Sequence, residues 1–209
     1  MQEWLALFPL HVVLLPEAEL PLHIFEERYK EMIQEAIRGH LEFGVVLANE
    51  KGIVNTGCTA SINKVLREYP DGRLDILAVG RRRFEILRLN DERSFLRGAV
   101  EFFDDDDATL PAPEARQQAI EGFNQLQALA SNEPLRTLDA ENPQLSFRLA
   151  EPVSDLGIRQ ALLSARSEAD RIRQLAGFFP RYLARQRSIQ HVKQVAPKNG
   201  HGRGLKGLE

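Results

Sequence analysis

An α+β protein, mostly β through residue 103 and helical beyond residue 113, is predicted by three features of this 209-residue chain. Short apolar runs with strand-like alternation fill positions 43 to 103. From Glu114 the apolar residues recur at i, i+3 and i+4 instead. Between these regions lies Asp104-Asp105-Asp106-Asp107, followed by Pro111 and Pro113, where like charges repel and proline discourages a regular element. The expected organisation is a β domain at 1–107, a helical domain at 112–189 and a disordered tail at 190–209. The aspartate run reads as a solvated linker.

The elements follow in order. Leu7-Phe8-Pro9-Leu10 is an apolar strand whose proline restricts it to a short or edge position, and Pro16 to Pro21 is expected to form a loop. From Glu26 the period is helical, with Tyr29, Met32, Ile33, Ala36 and Ile37 on one face and Gly39 as the stop. Phe43 to Ala48 is a short apolar run. Cys58, Ala60 and Ile62 then alternate with polar neighbours, and the phase slips by Val65, which predicts a bulge of the kind found in small closed barrels. Pro70-Asp71-Gly72 is a turn, and strands follow at Leu74 to Val79, Phe84 to Leu89 and Phe95 to Phe103. In the second half, Ala119, Ile120, Phe123, Leu126 and Ala130 form one helical face, and Ile172, Leu175, Ala176, Phe179 and Leu183 form another. Ser167 and Asp170 are placed to cap the last helix, which Pro180 should kink or end.

The opening string Leu20-Pro21-Leu22-His23-Ile24-Phe25-Glu26-Glu27-Arg28-Tyr29 resembles the L-P-L-x-I-F-E-x-R-Y of the Lon protease N-terminal domain family. Gly57-Cys58-Thr59-Ala60-Ser61-Ile62 is similar to its G-T-x-A-x-I strand, with cysteine where threonine is usual. Asp71 to Ile86, including Arg83-Phe84, resembles its D-G-x-L-x-I-L-x-x-G-x-x-R-F-x-I. The resemblance covers roughly residues 5 to 185. It implies a PUA-like β pseudo-barrel followed by an α-helical bundle, in a stand-alone, non-enzymatic member without the ATPase and peptidase domains of the large proteases. The implied role is recognition of unfolded or apolar polypeptide segments, or an adaptor function beside a protease or chaperone, with oligomerisation as a way to raise a weak single-site affinity. The alternative is an RNA-binding module built on the same barrel.

Composition narrows the classes. The sole cysteine, Cys58, excludes an internal disulfide and a thiolate metal cluster, and a buried thiol with no adjacent base reads as a small hydrophobe. The apolar run from Trp4 to Leu15 follows an acidic residue and contains Pro9 and His11, unlike a leader peptide, and no segment is long enough to span a bilayer, so a cytoplasmic protein without membrane partners is expected. His11, His23, His40, His191 and His201 lack metal-ligand spacing, and His11 and His23 read as structural. Gly200 to Lys206 fails the phosphate-loop pattern because Leu205 stands where a glycine is required. No catalytic residue, metal site or cofactor is therefore assigned.

Two stretches remain as candidate binding residues. Arg81, Arg82 and Arg83 could hold phosphate or carboxylate groups, against the simpler reading in which Arg83 is structural. Phe178 and Phe179 are adjacent, so if Phe179 packs, Phe178 points elsewhere and joins an exposed apolar patch. From Arg159 onward eleven basic residues face three acidic ones, a net +8 that leaves −11 on the rest of a chain whose total is −3. Such a split serves an acidic partner or attraction between the two parts of one molecule.

Overall fold

The strand-like alternation of the first half and the helical period of the second each fold locally as their spacing dictates. The computed structural model describes residues 4–130, 138–140 and 142–195. Strands β1 (Trp4–Leu10) and β2 (Glu19–Ile24) precede helix α1 (Glu27–Gly39). Next come β3 (Phe43–Asn49), β4 (Gly52–Glu68), β5 (Leu74–Asn90) and β6 (Arg97–Phe102), then α2 (Pro113–Ala130), α3 (Leu145–Ala150), α4 (Leu156–Ser164) and α5 (Glu168–Val195).

Strand pairing closes on itself. β1 runs parallel to β3 at Leu7–Leu10 and antiparallel to β6 at Trp4–Ala6, β3 pairs with β4, β4 with β5, and the second half of β5 returns to β6. β2 lies outside this ring, against Leu74–Val79 of β5. The expected phase slip is present: the β4–β5 register shifts between Ile62 and Lys64 and again between Val65 and Arg67. Pro21, expected in a loop, is instead inside β2. Its missing N–H is tolerated because, among the described residues, β2 pairs with β5 alone, so one edge of the strand needs no donor.

One apolar cluster joins both halves of the chain, from Phe8, Leu15, Met32, Ile33 and Phe43 to Phe123, Phe147, Leu162, Leu175 and Phe179. α2 and α5 pack together, and at Gly122 a methyl group would come within 2.5 Å of Phe179 Cβ, so glycine permits that close approach. Pro180 neither ends nor interrupts α5. It is exposed while Phe179, Tyr182 and Leu183 are buried, and tertiary packing of that face carries the helix past the missing hydrogen bond. The tail expected from Gln190 is helical as far as Val195, and residues 196–209 lie outside the described residues.

The aspartate run is where sequence and structure part. Asp105 is not a solvated linker residue: Arg171, fully buried, donates from Nη1 and Nη2 to its two oxygens at 2.6 Å each, and Arg83 Nη2 donates to Oδ1 at 2.7 Å. Arg171 also reaches Glu168 Oε2 at 2.8 Å and Ser146 Oγ at 2.8 Å, and both guanidiniums lie over the Phe147 ring. Asp106 N donates to Arg166 O at 3.1 Å alongside, so residues 105–107 dock against the start of α5. The segment between the halves is a charged clamp.

Burial alone would raise the Asp105 pKa, but hydrogen bonds and charge from Arg171, then Arg83, outweigh it and hold the carboxyl below the usual aspartate range. A carboxylate with a lowered folded pKa contributes stability that is present above its unfolded value and lost as pH falls through the folded one. Unfolding free energy is therefore expected to fall as pH drops below about 4. In Asp105→Asn, urea midpoints measured across the same pH range should show a shallower fall.

Candidate functional site

α1 ends in a way that builds a site. Leu41 N donates to Ala36 O at 3.0 Å while His40 adopts the left-handed conformation (φ 50°, ψ 41°), a Schellman-type stop. The helix ends at Gly39 as expected, with His40 in place of the glycine in the left-handed position. A methyl on Gly39 would sit 2.9 Å from Leu41 Cγ, so the exposed leucine side chain would have to turn aside to admit it. Leu41 consequently lies at the surface, 56% exposed, immediately before Phe43 enters the core.

Beside Leu41 opens a cleft of about 480 Å³, bounded by the end of α1, the starts of β1 and β3, and β6. Met32, Ala36, Phe43 and Phe95 give it apolar walls, and Trp4, Leu41 and Phe102 line it nearer the surface. Phe102 is 42% exposed, with the Arg82 guanidinium 3.8 Å from its ring centre. Arg82 Nε also stands 3.6 Å from Glu42 Oε2, an ion pair too long for a hydrogen bond. Arg93 is committed within the wall: it donates to Glu35 and, at 2.7 Å, to Glu31, and these carboxylates raise its pKa well above the ordinary arginine value. Chemically the cleft offers apolar surface, a few charged groups and no evident nucleophile.

The sequence candidates do not converge. Successive strand residues point to opposite faces, and Arg81 accordingly donates to Ser61 Oγ at 2.8 Å, Arg82 enters the cleft and Arg83 is buried in the clamp. Arg83 therefore has no surface to offer a ligand. Phe179 is 1% exposed in the core, and Phe178 is half-buried, stacked on Tyr182 at 4.9 Å, away from the cleft. Trp4, Leu41, Glu42 and Phe102 were not singled out by sequence. The available signal was an apolar leucine directly after a helix stop.

Reactive chemistry finds no better footing elsewhere. Burial pushes the Cys58 thiol up to about 12, leaving it protonated near neutrality. His23 Nδ1 lies 2.6 Å from Asp75 Oδ1 and Tyr69 OH donates to Oδ2 at 2.8 Å. Imidazole and hydroxyl thus share one carboxylate instead of forming a relay in series. Among the described residues no group of three or more His, Cys, Asp or Glu is placed to hold a metal ion.

Residues 4–178 match the family model described as the ATP-dependent protease La (LON) substrate-binding domain. Among curated relatives, Lon protease 2 of Syntrophobacter fumaroxidans is 27% identical over 218 aligned positions, covering 95% of this chain and 27% of that protein. Lon protease of Parabacteroides distasonis is 31% identical over 103 residues, covering 46% of this chain and 12% of that protein. The chain thus spans about a quarter or less of these relatives. Of solved structures, a Lon N-terminal domain protein from Xanthomonas campestris superposes with a TM-score of 0.68 at 28% identity, covering 84% of this chain and 98% of that one. The N-terminal domain of Mycobacterium avium complex Lon protease gives 0.63 at 17% identity, with 85% and 98% covered, a likeness of fold alone.

Proposed function

Because the chain belongs to the family of ATP-dependent protease La (LON) substrate-binding domains, we propose that the cleft beside Leu41 is where it binds protein substrates, taking apolar side chains of unfolded or extended segments. The observation that carries this reading is the exposure of Leu41 and Phe102 over a cleft whose deeper walls are already apolar. The family model that matches residues 4–178 is that of the substrate-binding domain, so the reading is one of binding, in an adaptor role or in the service of a protease. No helix of the described residues is long and apolar enough to cross a membrane.

The affinity of one cleft is modest. Removing about 300 Å² of apolar surface from water at roughly 25 cal/mol/Å² gives about 7 kcal/mol, and ordering a flexible segment offsets part of it. Binding in the micromolar range or weaker follows, which several copies acting together would strengthen.

Fluorescence anisotropy with a neutral, labelled apolar peptide tests the assignment. Leu41→Asp and Phe102→Asp should each weaken binding by about tenfold or more, because a carboxylate must be desolvated in an apolar contact. Binding should change little between low and high salt. Loss of affinity in Phe178→Asp but not in the cleft variants would move the site to α5. Binding to RNA alone, falling steeply with salt and lost when Arg81 and Arg82 are replaced, would instead support a nucleic-acid module.

A further inference from the structure

Two buried polar atoms among the cleft-lining residues have no hydrogen-bond partner: Glu42 Oε2, an acceptor, and Arg97 Nε, a donor. Arg97 is held at Nη2, which donates to Asn90 Oδ1 at 2.9 Å and lies 3.7 Å from Glu92 Oε2, while its Nε–H has no partner. A buried donor or acceptor without a partner is costly and uncommon in folded proteins. Here the two residues that carry them line the same cleft. They flank the start of β1 from its two sides, since Arg97 pairs with Ala6 and Glu42 lies two residues before Gly44, the partner of Leu7.

Charge decides what could complete them. The cleft presents Arg82, Arg93 and Arg97 against Glu35 and Glu42, and Glu35 is already engaged by Arg93. A lysine or arginine reaching for Glu42 meets Arg82 at the same oxygen, and an acidic side chain reaching for Arg97 meets Glu42 in the same cleft. A neutral group that both donates and accepts encounters neither repulsion. The peptide unit is such a group, and in an extended segment it lies between side chains that can enter the apolar walls on either side.

We propose, resting on the assignment of the cleft as the substrate site, that Glu42 and Arg97 bind a main-chain peptide group of an uncharged apolar segment, Glu42 accepting from its N–H and Arg97 donating to its carbonyl. Recognition is then of backbone plus apolar neighbours. Such a site tolerates many sequences, because every residue except proline supplies the same donor and acceptor.

The test uses the full chain and the labelled peptide acetyl-Ala-Leu-Phe-Leu-Ala-amide, compared with versions N-methylated at one residue at a time. At one position methylation should weaken binding to the unaltered protein about tenfold, the loss expected for one buried hydrogen bond. Glu42→Leu should weaken the unmodified peptide by a similar factor and make that methylation nearly neutral. The modified peptides bound to the unaltered protein keep the test valid should Glu42→Leu fail to fold. If no N-methylation changes affinity while Leu41→Asp still abolishes it, the cleft is the site and main-chain recognition is overturned. Tighter binding when the central residue is replaced by lysine also overturns it, in favour of a cation on Glu42. If Leu41→Asp leaves binding intact, the cleft assignment itself fails.

Discussion

Asp105→Ala is expected to destabilise the protein by about 3–5 kcal/mol, the range for removing one partner of a buried ion pair. The substitution deletes little volume, so the effect is electrostatic. Arg171 is fully buried and gives Asp105 two parallel hydrogen bonds, while Arg83, with 3% of its side chain exposed, gives it a third. Without that carboxylate, Glu168 is the remaining anion hydrogen-bonded to Arg171. Among the described residues, the desolvated guanidinium of Arg83 then keeps its hydrogen bonds to the backbone carbonyls of Leu163 and Ala165. Asp105→Asn, which preserves the shape and one acceptor, should cost less. Urea unfolding of both variants beside the parent measures the order. A loss below about 1 kcal/mol in Asp105→Ala, the scale of an exposed ion pair, would show that water reaches the clamp and that it does not fasten the halves together.

The clamp also shows where sequence reading stops. Four consecutive aspartates followed by prolines look like a solvated boundary because the chain shows each residue only its neighbours in sequence. The cations that neutralise Asp105 come from Arg83, on β5, and Arg171, on α5, and only the fold brings them to one point. The β-then-α order, the cap at Ser167 and the slip near Val65 were legible because their causes are local: periodicity, a hydroxyl three residues before an N–H, and a change of phase. Pro180 misled because propensity is local whereas the packing of Phe179, Tyr182 and Leu183 is not.

The cleft was hidden for a related reason. Trp4, Leu41, Glu42 and Phe102 come from separate elements and share no spacing, so no periodic pattern marks them. The consecutive arginines at 81–83 formed a visible motif, yet strand alternation sends neighbours to opposite faces and only Arg82 reaches the cleft. A run of like residues in a strand divides its members between two environments.

Gly80→Ala is expected to cost at least the upper part of the roughly 1–3 kcal/mol typical of overpacking. Gly80 lies within β5 where the loop before β2 crosses it, and the two backbones are tied in both directions: Glu17 N donates to Gly80 O and Gly80 N to Ala18 O, each at 2.9 Å. A methyl group on Gly80 would lie 2.1 Å from Leu15 O, a contact with main chain that no rotamer change can relieve. The loop is poorly placed to move. Leu14 and Leu15 are anchored in the core, Ala18 N donates to Leu15 O, and Glu17 already holds a positive φ of 61°. Relief would require lifting those leucines or breaking the two hydrogen bonds that join loop to strand, and either change loosens the attachment of β2. Gly177→Ala supplies the contrast, because nothing among the described residues lies within 4 Å of the added methyl and the residue is in the interior of α5. There alanine should stabilise by about 0.5–1 kcal/mol, through helix propensity and a less flexible unfolded chain. Opposite signs from the same chemical change, read from denaturant midpoints, would establish that Gly80 is required for close backbone approach. A change at Gly80 within about 0.5 kcal/mol, the range of surface substitutions, would mean that the loop can retreat and that its packing on β5 is looser than its hydrogen bonds indicate.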